Sequence, residues 1–161
     1  MRVPRRLSMF FLCLLCLVWM AFPAVSLASQ SVTCPEAGLI LTVPDDFEVV
    51  PLSPEDDPDL RLLLESKRLS VSVYVSFVGS AMTDPQSWVL TGDETDTGVR
   101  KLAGKKLVYV SGNSDGESYY TCFWLCRGSG ASLDFRWIEK NAKKAKKTVE
   151  EILSSIEWMD D

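Results

Sequence analysis

The sequence predicts an α+β domain: an antiparallel β-sheet covered by a C-terminal amphipathic helix and a short middle helix. Three observations predict it. Leu69, Val71, Val73, Val75 and Phe77 alternate with Ser70, Ser72, Tyr74 and Ser76, the period of a strand with one buried face. Between residues 99 and 138, apolar stretches are broken by glycine-rich turns at Ala103-Gly104, Gly112 to Gly116 and Gly128 to Gly130, which reads as a meander. Ala142, Ala145, Val149, Ile152, Leu153 and Ile156 then recur at helical spacing, with Lys143, Lys144, Lys146, Lys147, Glu150 and Glu151 on the other side. Strands closed by such a helix make an α+β order.

From the N-terminus, Arg2, Arg5 and Arg6 precede an apolar run from Met9 to Phe22, Pro23, and the small-residue segment Ala24 to Ala28. These are the parts of a secretory signal peptide, with cleavage expected after Ala28. The competing reading is an uncleaved anchor, because no charge occurs between Arg6 and Glu36 and the run approaches the ~20 residues that span a bilayer. The division is therefore residues 1–28 as signal and 29–161 as one α+β domain.

In the domain, Leu39 to Val43 reads as a strand, Pro44-Asp45-Asp46 as a turn, and Phe47 to Val50 as its return. Pro51, Pro54 and Pro58 among Glu55, Asp56, Asp57 and Asp59 make an exposed acidic loop. Residues 60–65 and 69–78 form a second pair around Ser66-Lys67-Arg68. Thr83-Asp84-Pro85 supplies a cap and a first-turn proline for the short helix through Gln86, Trp88 and Leu90. Strands at 99–110, interrupted at Ala103-Gly104, at 117–126 and at 131–138 lead to the final helix.

Cleavage would leave 133 of the 161 residues, enough for one core. Three of the 17 basic residues and none of the 22 acidic ones lie in the signal, so the remainder carries a net charge of −8. That balance speaks against nucleic acid or an anionic membrane surface as partner. The chain has no histidine, which removes the usual general base, the partner of a Ser or Cys nucleophile, and the commonest metal ligand. No catalytic, cofactor-binding or metal-ligating residue is singled out. The acidic segments lack the alternating ligands and glycine of a calcium loop, and Cys122-x-x-x-Cys126 lacks the further ligands zinc requires. The lysine run reads as the solvated face of its helix.

Three cysteines remain after the signal. Cys122 and Cys126 are four residues apart on one strand face, about 13 Å at ~3.3 Å per residue, too far for a disulfide, which tolerates about 7 Å between Cα atoms. Two readings stay open. Cys34 pairs with one of them, with Cys126 preferred because it adjoins the Arg127 to Gly130 turn, closing a loop of about 90 residues worth roughly 4 kcal/mol by chain entropy; or all three are buried thiols.

Several stretches together resemble the Mog1/PsbP-type domain of small exported bacterial proteins. They are Val43-Pro44-Asp45-Asp46-Phe47, the Leu102-Ala103-Gly104-Lys105-Lys106 step into Leu107 to Val110, the aromatic strands through Tyr120 and Phe135, and the closing Ile152-Leu153-Ser154-Ser155-Ile156. The resemblance covers nearly all of residues 35–158. It implies a sheet of antiparallel strands between helices, and a binding or assembly factor more than an enzyme. The expectation is an exported, non-enzymatic domain that binds a protein or another component of the cell envelope; the alternative is a hydrolase or other enzyme whose carboxylates the fold brings together.

Overall fold

The computed structural model describes residues 28–53, 55–81, 84–85 and 96–159. The expected signal segment, apart from Ala28, and the middle helix expected through Gln86, Trp88 and Leu90 lie outside the described residues. Within them the fold is α+β, with two antiparallel sheets and one C-terminal α-helix.

The smaller sheet places β2 (Leu39–Pro44) between β1 (Ser29–Cys34) and β10 (Glu157–Trp158). The larger holds β3 (Glu48–Val49), β4 (Leu60–Ser66), β5 (Val71–Ala81), β6 (Asp96–Leu102), β7 (Lys105–Ser114), β8 (Glu117–Cys126) and β9 (Ser129–Ile138). Their order is β3-β4-β5-β9-β8-β7-β6, antiparallel throughout. Three two-residue loops drive the β6–β9 meander: Ala103–Gly104, Asp115–Gly116 and Arg127–Gly128, each with both residues at positive φ. Such pairs match the twist of the strands they join. The Ala103-Gly104 interruption therefore reverses the chain, and the single strand expected over 99–110 is two.

The expected hairpin between Leu39–Val43 and Phe47–Val50 does not form. The Pro44-Asp45-Asp46 turn, closed by the Phe47 N–H on the Pro44 carbonyl at 3.0 Å, carries the chain from the small sheet to the large one. β2 instead pairs with β1 and β10, while β3 pairs with β4. The turn drops the fully buried Phe47 between the layers, a gain of about 2 kcal/mol or more in transfer free energy that a free-standing hairpin would forgo.

A 3-10 turn at Glu139–Asn141 leads into α1 (Ala142–Ser154). Its buried stripe is Ala145, Thr148, Val149, Ile152 and Leu153, so the lysine run faces outward as its spacing demands. The Asn141 amide donates to the Leu69 carbonyl at 3.1 Å, and Ser155 Oγ meets both the N–H and the carbonyl of Thr42 at 3.0 Å. Both ends of the helix are thus tied to sheets, which matters because a thirteen-residue helix is marginal alone. The core lies between the large sheet on one side and the small sheet plus α1 on the other. Leu41, Val43, Val73, Val75, Trp124, Leu133, Phe135 and Ile152 are at its centre.

The candidate site: a cleft between helix and sheet

On the helix-facing side of the large sheet, inward positions change character along β7 and β8. Leu107, Cys122 and Trp124 are apolar and buried. Further along the same faces stand Ser111, Asn113 and Ser118. Register aligns them in two rows: Asp96 opposite Ser111 and Ser111 opposite Tyr120 in one, Asn113 opposite Ser118 and Ser118 opposite Trp137 in the next. The first turns of α1 cover these rows incompletely, leaving a cleft of about 370 Å3 with Lys146, Val149 and Glu150 on the helix side.

Trp137 lines this cleft, is only 5% exposed, and its indole N–H has no hydrogen-bond partner. A buried unmade hydrogen bond costs about 1–3 kcal/mol, so this donor stands out. Beside it the buried Ser118 hydroxyl lies 2.6 Å from the Asn113 amide oxygen and 2.7 Å from Glu139 Oε2; its single proton serves one of them at a time.

The other end of the cleft is braced. Arg100 on edge strand β6 makes a two-pronged contact with Glu150 of α1, 3.0 Å and 2.6 Å, and reaches the Tyr120 hydroxyl at 3.5 Å. Hydrogen bonding to Arg100 holds the Glu150 carboxyl below the usual carboxylate range. Tyr120 stacks on Tyr109 with centroids 5.4 Å apart, and burial raises its phenol pKa. Tyr109 in turn donates to Asp96 Oδ2 at 3.3 Å. Gly98 permits this wall, since a Cβ there would stand 2.8 Å from the Tyr109 ring.

The acidic loop at residues 55–59 is organised by its own backbone: the Ser53 and Asp59 N–H groups donate to the Asp56 and Asp57 carboxylates. Among the described residues no group of three or more His, Cys, Asp or Glu side chains could hold a metal ion. The aromatic side chains of Tyr120 and Trp158 are both engaged in packing. Trp158 packs edge-on against Trp124 at 5.4 Å, donates to the Leu102 carbonyl at 3.0 Å and lies under Lys105.

Cys34, Cys122 and Cys126 are buried thiols with no disulfide formed. Cys34 and Cys126 nevertheless flank one turn. The Ala37 backbone hydrogen-bonds to the Cys34 sulfur, and the Cys126 thiol donates to the Glu36 carbonyl at 3.6 Å, so the two sulfurs meet the same peptide group from its two ends. Burial raises the pKa of Cys34 and pushes the fully buried Cys122 up to about 12, which keeps Cys122 protonated and unreactive at neutral pH.

The lysine run reads from the sequence as a solvated helix face, and no local pattern in that run points to the cleft beneath it. The available signal was the switch from Leu107 and Tyr109 to Ser111 and Asn113 at inward positions of one strand.

No protein-family model matches the chain, and no curated protein matches it in sequence. Solved structures do match. The chain is similar to cyanobacterial PsbP (CyanoP) from Synechocystis sp. PCC 6803, with a TM-score of 0.59 and 15% identity over 86% of this chain and 97% of that one. It is also similar to a protein from Bacteroides thetaiotaomicron VPI-5482, with a TM-score of 0.53 and 13% identity over 82% of this chain, which spans 49% of that protein. LpqN, involved in cell envelope biogenesis of Mycobacterium tuberculosis, aligns with a TM-score of 0.49 and 14% identity over 83% of this chain and 91% of that one. At these identities the likeness is one of architecture, and the chain has the Mog1/PsbP-type fold.

Proposed function

We propose that this chain is an exported, non-catalytic binding domain of the cell envelope and that the helix–sheet cleft is its binding site. The observation that carries the reading is the buried, unpartnered indole N–H of Trp137 in a cleft lined by polar groups at inward positions. A general acid needs a carboxyl held protonated near neutral pH. Glu150 at the cleft is shifted the other way by Arg100, as is Asp46 elsewhere by Arg68, which favours binding over acid–base catalysis.

Export rests on the N-terminal sequence. A cut after Ala28 leaves β1 whole and, among the described residues, gives up the Asp45 N–H to Ala28 carbonyl hydrogen bond. In an oxidising compartment Cys34 and Cys126 then form a disulfide, each giving up a proton and an electron to a disulfide-bearing oxidant, with the Pro35 to Gly38 turn yielding between them.

N-terminal sequencing and intact-mass measurement of the protein recovered from the envelope fraction of its source cell test both points. The expected chain starts at Ser29, weighs two hydrogens less than the all-thiol form, and yields a Cys34–Cys126 peptide on non-reducing digestion. Recovery from the cytoplasm with residues 1–28 attached would contradict export. Three alkylatable cysteines in the envelope-borne protein would contradict the bridge alone.

A further inference from the structure

We propose that the ligand of this cleft is a neutral polyhydroxylated molecule, a mono- or disaccharide. The inference rests on reading the cleft as the binding site.

Size and charge come first. A cavity of about 370 Å3 falls within the range of small-ligand sites and has room for one or two pyranose rings. Its lining carries Asp96, Glu150 and Lys146. Arg100 neutralises Glu150, which leaves one anionic and one cationic side chain, Asp96 and Lys146, on the walls.

The hydrogen-bond inventory is mixed in the way a hydroxyl-rich ligand answers. Among the described residues, Trp137 Nε1, the Asn113 amide nitrogen and Lys146 Nζ are donors without a partner, Asp96 Oδ1 is an acceptor without one, and Ser111 Oγ can act as either. A carboxylate would suit the donors and be opposed by Asp96; an ammonium group would suit Asp96 and be opposed by Lys146. A hydroxyl both donates and accepts, so one neutral ligand satisfies both rows. The Trp137–Asn113 row and the Asp96–Ser111 row are two residues apart along the strands, about 7 Å, a separation bridged by hydroxyls on opposite sides of a pyranose ring. Tyr120 and Val149 supply apolar surface for its C–H faces.

The test follows the indole N–H resonance of Trp137, assigned by its absence in Trp137→Phe, in the uniformly nitrogen-15-labelled protein. The probes are glucose, N-acetylglucosamine, maltose and cellobiose, with glucuronate and citrate as anions and glucosamine as a cation. At least one neutral sugar is expected to move the resonance saturably. Trp137→Phe and Asp96→Ala are each expected to weaken that sugar by about tenfold, the loss of one ligand hydrogen bond. Asp96 is exposed at the start of β6, so its variant keeps the test valid if Trp137→Phe does not fold.

A response to the anions alone, or to glucosamine alone, overturns the neutral class and leaves the cleft as a binding site. No response to any probe at millimolar concentration overturns the saccharide proposal. The cleft reading then falls separately if envelope material also leaves the Trp137 resonance unmoved.

Discussion

Trp124→Ala is expected to destabilise the domain by roughly 3–5 kcal/mol, the usual cost of removing a large buried aromatic side chain. Trp124 is 1% exposed and belongs to β8, at the heart of the large sheet. Its indole N–H donates across the core to the Ala37 carbonyl at 3.1 Å, in the turn between β1 and β2 of the small sheet. Trp158 packs edge-on against it, so the same side chain supports β10. Trp124→Phe keeps most of the ring and leaves that carbonyl without its partner, a loss of about 1–2 kcal/mol. Thermal denaturation separates the two. The alanine variant should lower the midpoint by roughly 10–20 °C and the phenylalanine variant by less than half of that. Equal, small shifts would mean that the two sheets are not joined through Trp124.

Gly38→Ala carries the next largest expected effect, with two separable causes. Gly38 sits at φ +66, a conformation that costs an L-residue roughly 1–2 kcal/mol. A Cβ there would also stand 2.9 Å from Cys126 Sγ, inside van der Waals contact, within a turn already held by the Gly38 N–H on the Pro35 carbonyl. Gly104 is the internal control: it has φ +89 and nothing within 4 Å of an added Cβ. Chemical denaturation of Gly104→Ala reads the backbone cost alone. Gly38→Ala is expected to exceed it by about 1–2 kcal/mol, the steric part. Equal losses in the two variants would show that Cys126 does not press on the turn.

The parts of the fold legible in the sequence are those set by local periodicity. The alternation of Leu69 to Phe77 placed Val71, Val73 and Val75 in the core, where they are at most 1% exposed, and the helical spacing of Ala145, Val149, Ile152 and Leu153 marked the buried stripe of α1. The small sheet was not legible for the opposite reason. Ser29 to Thr33 offers little apolar alternation, and β10 is two residues long, so both are strands only because β2 lies between them. Pro44-Asp45-Asp46 has the composition of a hairpin turn, and nothing local distinguishes it from a turn that moves the chain to another sheet.

The cleft was hidden for the same kind of reason. Arg100 and Glu150 meet across 50 residues of sequence, and the rows Asp96–Ser111–Tyr120 and Asn113–Ser118–Trp137 exist only once the meander's register is set. Trp137 has the parity of a core residue, and its pattern does not show where α1 stops covering the sheet. Lys146 is exposed like the rest of its run, and lines the rim of the cleft only through the position of the helix on the sheet.

Whether the protein binds at this cleft is decided by a spectrum of the uniformly nitrogen-15-labelled protein titrated with fractionated envelope extract of its source cell. The Trp137 indole resonance and the Ser111, Asn113 and Ser118 amides are expected to move first and saturate together. Saturable shifts confined to the opposite sheet face, at Thr121, Asp134 and Arg136, with the Trp137 indole unmoved, would contradict binding at the cleft and place the binding surface elsewhere.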